Sequence, residues 1–373
     1  MWGLYLHIPF CPTRCIYCDF YSQSDLSLQS AFVEALCREL TIYHDKEQWS
    51  TAPRTIYLGG GTPSSLPLPL LERLMMHVRS LWTLDKAIEI TIEANPEDVS
   101  PEWARGVAQL GFNRISLGVQ SWSDETLHFL HRRHSAAQAE RAIDYIRQAG
   151  ISNVSIDLIF ALPKGYERNW EESLAHALTL PVKHLSAYGL TYEPGTRLDR
   201  MRECGAVIPS SEETYVAQYY ALVAACRDAG FTHYELSNWA RPGFASQHNS
   251  AYWDGTPYLG LGPSAHSYTA GHRWWNVSDI HLYIYIERLQ QGTLPIADEE
   301  WLSPTELYEE CVMLGLRTYR GINLRRPELR GVPLMERATP WLEQGLLTHT
   351  ADDHLRLTHD GLIWCDRICA ALC

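Results

Sequence analysis

The chain has 373 residues, of which 46% are hydrophobic and 20% charged, so it can bury a substantial core. This length exceeds what a single hydrophobic core usually organises. Its formal net charge of −13 argues against nucleic acid and anionic membranes as partners, because both bind basic surfaces. No apolar stretch has membrane-spanning length and no basic leader precedes the first strand, so we expect a cytoplasmic protein whose 10 cysteines stay reduced.

Short apolar or β-branched runs, each followed by a stretch with helical periodicity, recur along the N-terminal part of the chain. The predicted strands span residues 4–8, 55–58, 88–92, 114–119, 154–159 and 184–190. The predicted helices span residues 30–44, 68–81, 101–110, 136–149, 170–178 and 212–229. Repeated strand–helix units predict a parallel sheet with right-handed crossovers, here an α/β fold with a partial (β/α)6 TIM-like barrel.

After about Trp239 the pattern changes to aromatic-rich loops and then to mixed helices and short strands. We therefore predict a core domain over residues 1–238 and a smaller α+β domain over residues 239–373. Near the C-terminus, Cys365, Cys369 and Cys373 recur every four residues. This spacing predicts one helix face, on which cysteine packs as a small apolar side chain, and a second metal site is the alternative.

Barrels of this kind place their chemistry at the C-terminal ends of the strands. A loop with three cysteines, Cys11, Cys15 and Cys18, follows the first predicted strand. Three thiolates can hold three irons of a 4Fe-4S cluster and leave the fourth iron open. A zinc site is the alternative, but structural zinc takes four ligands and the nearest extra candidate, His7, lies back in the strand.

The Cys-x3-Cys-x2-Cys spacing, with Tyr17 just before the last cysteine, resembles the signature of the radical S-adenosylmethionine (radical SAM) superfamily. The resemblance implies that S-adenosylmethionine chelates the open iron and that the reduced cluster cleaves it to a 5'-deoxyadenosyl radical. The glycine-rich run at residues 59–63 resembles the superfamily's cofactor loop, although alone it also fits a tight turn.

The resemblance implies a set of cofactor contacts around this loop. They are Tyr5, Tyr17, Gly60, Gly61, Thr62, Glu93, Gln120, Arg132, Asp157 and Gly189. Several have simpler alternatives: Arg132 fits a solvated helix residue, and Asp157 fits a cap for a neighbouring backbone group.

Seven ordered blocks narrow the resemblance to the oxygen-independent coproporphyrinogen oxidase-like group, and within it to HemW-type heme chaperones. The blocks are LYLHIPFC, YLGGGTPS, ISLGVQSW, IDLIFALP, HLSAYGLTYEPGT, QHNSAYW and LGLGPSAHS. The resemblance implies a HemN-like C-terminal domain. The oxidases carry another cysteine where this chain has Phe20, and an N-terminal arm, so we expect no coproporphyrinogen dehydrogenase activity.

The block QHNSAYW resembles the HNxxYW motif of the chaperones and implies heme binding through His248, Tyr252 and Trp253. Imidazole can ligate heme iron, and aromatic rings can stack on the macrocycle. The alternative is an ordered aromatic loop in which His248 is hydrogen-bonded, and His266 is a second candidate for heme. The implied partners are a heme-accepting protein and, as electron donor, a flavodoxin or ferredoxin.

Two other classes of function stay open at this point. One is a radical SAM enzyme that acts on a tetrapyrrole or other small molecule, either a coproporphyrinogen III dehydrogenase or a methyltransferase. The other is a purely structural iron-sulfur or zinc protein, which would not bind S-adenosylmethionine. Residues 162–166 also depart from the Leu-Pro-Gly-Gln-Thr pattern of the family.

Overall fold

The N-terminal part of the chain builds the strand–helix units that the sequence predicts. The computed structural model describes residues 1–166, 168–281 and 285–373. Its parallel strands are β1 (Gly3–Ile8), β2 (Thr55–Gly60), β3 (Glu89–Ala94), β4 (Arg114–Gln120), β5 (Asn153–Phe160) and β6 (His184–Gly189). The helices between and after them are α1 (Gln29–His44), α2 (Leu68–Leu81), α3 (Pro101–Gln109), α4 (Asp124–Phe129), α5 (Ala136–Gln148), α6 (Asn169–Thr179), α7 (Arg197–Glu203) and α8 (Glu212–Asp228). The predicted α/β fold is confirmed.

Local sequence sets where several of these helices begin and end. The Ser100, Ser135 and Ser211 hydroxyls each accept a hydrogen bond from the backbone N–H three residues later, which caps α3, α5 and α8. Gly150 and Gly230 follow α5 and α8 with φ of 94° and 80°. Glycine adopts this left-handed conformation without a steric penalty, so both helices end there.

The parallel strands carry apolar side chains on one face and polar or aromatic ones on the other. In β1, Leu4, Leu6 and Ile8 are fully buried in the main core with the helices. Tyr5 and His7 alternate with them and therefore point to the opposite face. The same alternation repeats in the next four strands, so the inner face of the sheet is polar.

Further strands extend this sheet on both sides. The additional elements are β7 (Thr232–Glu235), β8 (Asn238–Ala240), α9 (Gln247–Trp253), β9 (Tyr258–Leu261), β10 (His266–Thr269), β11 (His272–Asn276), α10 (Glu287–Gln290) and β12 (Ile296–Trp301). In the described part of the chain, twelve strands pair in the order β12-β11-β10-β9-β1-β2-β3-β4-β5-β6-β8-β7. Strand β9 is parallel to β1, whereas β8 runs antiparallel to β6.

A separate small core lies at the C-terminus. Its elements are α11 (Pro304–Leu316), β13 (Ile322–Asn323), α12 (Leu334–Glu343), β14 (Leu347–His349), β15 (His354–Leu357) and α13 (Cys365–Leu372). The three strands form an antiparallel sheet of order β13-β15-β14. Cys365 and Cys369 are buried in this core with their sulfur atoms 3.9 Å apart, whereas Cys373 is exposed.

The small core fits the predicted C-terminal α+β domain, but the boundary after residue 238 stays a prediction. Strands β9–β12 come after that boundary and join the main sheet through β1. A search of the described residues for a helix both long and apolar enough to cross a bilayer found none.

Candidate functional site

The three cysteines of the predicted cluster lie on the loop between β1 and α1, at the C-terminal ends of the parallel strands. Cys11, Cys15 and Cys18 are all half-buried free thiols. Backbone hydrogen bonds anchor the loop, from Cys11 N to the Gln23 carbonyl (2.9 Å) and from Cys18 N to the Cys15 carbonyl (3.3 Å). Ile16, within the loop, is buried in a small apolar cluster that also contains Leu130 and Leu198. The chain therefore presents three soft sulfur donors on one fixed loop.

Two side chains from other elements contact these sulfurs. The Thr62 hydroxyl lies 3.3 Å from Cys11 Sγ, and Arg132 Nη1 lies 3.4 Å from Cys15 Sγ. Arg132 Nη2 also donates to Asn95 Oδ1 and to the Gly118 carbonyl, each at 2.6 Å. Burial opposes the charge of Arg132, but Tyr17 and Cys15 beside it raise its pKa overall. A fixed cation of this kind favours thiolate over thiol.

The glycine-rich loop after β2 packs directly against the end of β1. Gly60 has a φ of 111°, which favours glycine strongly. A Cβ atom on Gly61 would lie 2.8 Å from the Phe10 carbonyl oxygen, which is too close for any other residue. Gly61 N donates to the Ile8 carbonyl at 2.9 Å. The loop therefore lies beside the cysteine loop, in a conformation that only glycines permit.

Glu93 lies at the inner face of β3 beside the glycine loop. Its carboxylate accepts hydrogen bonds from the Tyr57 hydroxyl (2.8 Å) and from Gly60 N (3.1 Å). Burial raises the pKa of Glu93 to about 7, although both hydrogen bonds act to lower it. The carboxyl group is therefore poised to change charge near neutral pH.

The other residues predicted for the cofactor also lie toward the C-terminal ends of the strands. Gln120 ends β4 with a φ of 68°, a strained conformation for a residue other than glycine. Asp157 is held by the Ser116 hydroxyl at 3.2 Å, and burial raises its pKa. Gly189 ends β6. Such backbone strain at a strand end is typical of functional sites.

The two predicted tyrosines lie at different depths. Tyr17 is half-buried on the cysteine loop, and burial raises the pKa of its hydroxyl. Tyr5 lies deeper, on the inner face of β1, with its hydroxyl 3.2 Å from His7 Nδ1. Its ring stacks on Tyr57, with centroids 6.1 Å apart. Tyr5 therefore lines the inner face of the sheet on β1, two strands away from Glu93 on β3.

The predicted heme residues lie at the other end of the parallel strands, where β2 and β3 begin. Helix α9, which carries them, packs against the first residues of β2 and β3. The Glu89 carboxylate accepts hydrogen bonds from Gln247 N (3.1 Å) and His248 N (3.0 Å). Both strands have six residues, so the two ends stand about 17 Å apart at the usual rise of a strand. Helix α9 and the cysteine loop therefore lie at opposite ends of the strands, although Tyr252 of the motif and Phe20, which follows the cysteine loop, border one cavity.

The three side chains of the motif have different surroundings. His248 is 2% exposed, with Nδ1 2.8 Å from the Thr55 hydroxyl and Nε2 2.9 Å from the Tyr252 hydroxyl. Burial lowers the pKa of His248 to about 3, so the ring is neutral. Trp253 is half-buried, and its buried Nε1 has no hydrogen-bond partner among the described residues. Ligation of iron by His248 requires one of its two bonds to break.

Sequence reasoning missed three residues of this region. Asn95 joins Arg132 to Thr62, and Tyr57 donates to Glu93. Arg114 is 1% exposed, and its Nε and Nη1 atoms lack partners within the part of the chain that the structure describes. A charged residue at the start of an otherwise apolar strand was the available signal for Arg114.

Comparison with known proteins finds matching protein families and relatives that span nearly the whole chain. Residues 5–177 match the radical SAM superfamily, and residues 302–364 match the HemN C-terminal domain. The chain is 37% identical to the heme chaperone HemW of Mycobacterium tuberculosis, covering 99% of this chain and 94% of that protein. It is 33% identical to the heme chaperone HemW of Bacillus subtilis, covering 97% and 96%.

A solved structure shares the whole fold. The coproporphyrinogen III oxidase HemN of Escherichia coli, a radical SAM enzyme, superposes with a TM-score of 0.83. The alignment covers 99% of this chain and 89% of the oxidase, at 21% identity. At that identity the likeness concerns the fold alone.

Proposed function

Because this chain belongs to the HemW family of radical SAM proteins, we propose that it is a heme chaperone, which binds heme and delivers it to a recipient protein. The observation that carries the proposal is the match to relatives with that name at 33–37% identity over nearly their whole length. The presence of Phe20 at the position of the oxidases' further cysteine supports a protein without coproporphyrinogen dehydrogenase activity.

Cys11, Cys15 and Cys18 hold a 4Fe-4S cluster in this proposal, one thiolate to each of three irons. Three thiols on one anchored loop supply the sulfur donors, and the Arg132 guanidinium beside Cys15 places a positive charge next to one of them. The fourth iron is left open for S-adenosylmethionine. When bound, the cluster supplies one-electron chemistry, and S-adenosylmethionine supplies the sulfonium bond that an electron can cleave.

The C-terminal edge of the sheet also fits S-adenosylmethionine. Because Gly60 and Gly61 carry no side chain, the backbone of residues 60–62 packs closely against the end of β1 and beside the cysteine loop, where it can approach a ligand. Glu93 offers a carboxylate to the ammonium or ribose of the cofactor. Arg132 has one buried atom, Nε, without a partner in the described ranges, which suits a polar ligand. The remaining proposed contacts are Tyr5, Tyr17, Gln120, Asp157 and Gly189.

We assign heme binding to the region of α9, where the HNxxYW motif lies. Trp253 supports this assignment because its ring borders a large cavity. His248 is hydrogen-bonded to Tyr252 of the same helix and to Thr55 of β2, and the bond to Thr55 holds α9 against the sheet in this conformation. A recipient protein, a flavodoxin or ferredoxin as electron donor and a cytoplasmic location complete the proposal.

Titration of ferric heme into the cluster-loaded protein tests this function. The account predicts saturable binding of one heme per chain, seen as a Soret band that differs from that of free heme. Bovine serum albumin, which binds heme without a dedicated transfer function, serves as a reference for nonspecific uptake. No saturable binding in the presence or absence of S-adenosylmethionine would contradict the proposal.

A further inference from the structure

A large cavity lies between the β7–β8 hairpin, α9 and the C-terminal core. Its volume is about 600 Å³, within the usual range of small-molecule sites. Aromatic side chains border it from three different elements: Tyr234 of β7, Trp253 of α9 and Tyr319 after α11. The cavity therefore offers flat apolar surfaces of the kind that a macrocycle stacks on.

Helix α9 separates this cavity from a second one. Tyr252 borders the second cavity, about 510 Å³, together with Tyr5, His7 and His266. Trp253 borders the first, so the two aromatic residues of the motif face different spaces. A single ligand in one cavity can therefore contact only one of these two aromatic residues.

Charge distinguishes the two cavities. The lining of the first includes Arg241, Arg320 and Arg326, whereas the lining of the second includes no arginine or lysine among the described residues. Arg326 is paired with Glu328 at 3.0 Å. Arg241 donates from Nη1 to the Ala229 carbonyl at 3.1 Å and lies over the Phe231 ring, and Arg320 donates from Nε to the Tyr319 hydroxyl at 3.4 Å. Neither arginine forms an ion pair with a carboxylate of the described residues, although Asp254 also borders the cavity. Each guanidinium group therefore keeps further N–H donors for the carboxylates of a ligand.

The first cavity also has a histidine prepared for metal ligation. His354 Nδ1 lies 3.0 Å from the Asp352 carbonyl oxygen, which fixes the hydrogen on Nδ1 and leaves Nε2 with a lone pair. Metal-ligating histidines in proteins are usually oriented by a bond of this kind. Cys311 borders the same cavity, but burial raises its pKa to about 11, so it stays a thiol at neutral pH.

We propose that this cavity binds heme, with Trp253 against the macrocycle, His354 Nε2 on the iron, and Arg241 and Arg320 on the two carboxylates. The inference rests on the proposed function and gives it a site. The HNxxYW motif then contributes the wall of the site through Trp253. His248 acts as a positioning residue, because its hydrogen bond to Thr55 ties α9 to β2.

Parallel titrations of ferric heme and of iron-free protoporphyrin IX into the cluster-loaded protein test the site. We expect His354→Ala to weaken heme binding by at least about tenfold and to shift the Soret band, since an iron–imidazole bond is lost. Binding of the iron-free porphyrin should not change. The matched control is His349→Ala, a histidine of β14 outside the cavity lining, which should behave like wild type.

A second variant tests the carboxylate contacts separately. The double variant Arg241→Gln, Arg320→Gln should lower the affinity for ferric heme and for iron-free protoporphyrin IX by about tenfold each. The reason is that charge-assisted hydrogen bonds to both carboxylates are lost. Cluster absorption and thermal unfolding of each variant show whether it has folded. In a folded His354→Ala protein, wild-type heme affinity and spectrum would overturn this site while heme binding itself stands. If wild type binds no heme, the proposed function fails.

Discussion

Arg132 connects the cysteine loop to the two strands beside it. Its guanidinium contacts Cys15 Sγ, Asn95 Oδ1 and the Gly118 carbonyl. Because it is buried among these groups, its charge stabilises negative charge on the sulfur more than a solvated arginine would. Arg132 therefore supplies a fixed positive charge beside the cysteine loop.

The first prediction concerns the three cysteines. Replacing Cys11, Cys15 and Cys18 together with alanine should abolish the cluster, because each thiolate holds a different iron. Iron content and visible absorption after anaerobic reconstitution measure this. Cys204→Ala, which removes an exposed thiol elsewhere, is the control and should retain full iron. A triple variant that still holds four irons would overturn the assignment.

The second prediction concerns Glu93 and pH. Burial raises the pKa of Glu93 to about 7, so the carboxyl group gains its charge as the pH rises through that value. Since S-adenosylmethionine carries an ammonium and a sulfonium group, its affinity should increase from about pH 6 to about pH 8. Equilibrium binding to the cluster-loaded protein measures the profile.

The variant Glu93→Gln should bind S-adenosylmethionine more weakly and lose this pH dependence, because an amide keeps the hydrogen-bond geometry without the charge. Glu72→Gln, on an exposed position of α2, is the matched control and should keep the wild-type profile. A wild-type affinity that is constant across the range would be inconsistent with the assigned role of Glu93.

At the scale of elements, α9 closes the N-terminal edge of the sheet. Glu89 caps its first turn, and His248 connects it to Thr55 of β2 while also bonding Tyr252 within the helix. A carboxylate is favourable at a helix N-terminus because of the free N–H groups there. The helix therefore depends on a small buried polar network for its position.

The third prediction follows from that network. His248→Ala should lower the free energy of unfolding by about 1–3 kcal/mol, because the buried Thr55 and Tyr252 hydroxyls lose their partner. Chemical denaturation at neutral pH measures it. The exposed His349→Ala should change stability by no more than about 0.5 kcal/mol. Equal stabilities of wild type and His248→Ala would refute a structural role for His248.

The same histidine predicts an acid sensitivity. Because the pKa of His248 is lowered to about 3 in the folded protein, its neutral form is the one that folding favours. Its contribution to stability is present above the unfolded pKa of about 6.5 and is lost as the pH falls toward the folded value. His248→Ala should therefore unfold with a shallower dependence on pH in this range than wild type.

The elements could be predicted from sequence to different extents. Strands β1–β6 were predictable because each is an apolar run that precedes an amphipathic helix. Strands β9–β12 were not, because they are short and aromatic-rich, and β9 pairs with β1, more than 200 residues earlier in the chain. Pairing over such a separation leaves no local signal.

Parts of the candidate site could likewise be predicted from the sequence, and other parts could not. The cysteine and glycine loops were predictable because their chemistry requires particular residues at fixed spacing. The place of His248 was not, since its partners Thr55 and Glu89 begin strands far from it in the chain. The cavity beside Trp253 was also hidden, because its lining comes from three separate parts of the sequence.

The whole molecule has the fold of an oxidase, but the function that we propose for it is that of a chaperone. The chain superposes on HemN with a TM-score of 0.83. Phe20, at the position of the oxidases' further cysteine, is 68% exposed and borders the cavity that contains His7 and His266. An exposed phenyl ring can contact a flat ligand but cannot replace a thiolate.

The fourth prediction is that the protein has no coproporphyrinogen dehydrogenase activity. Purified, cluster-loaded protein with S-adenosylmethionine and a reductant should leave coproporphyrinogen III unchanged, as followed by chromatography of the oxidised porphyrins. An authentic oxygen-independent oxidase, run in parallel, shows that the assay conditions support the reaction. Conversion to protoporphyrinogen by this protein would contradict the prediction.

The fate of bound heme distinguishes a chaperone from an enzyme. Heme-loaded, cluster-loaded protein is incubated anaerobically with S-adenosylmethionine and reductant and is then mixed with an apo heme protein, with mass spectrometry of the extracted tetrapyrrole. The account predicts that all heme is recovered with its mass unchanged and that part of it has moved to the acceptor. Heme that is methylated or degraded would contradict a chaperone and indicate an enzyme.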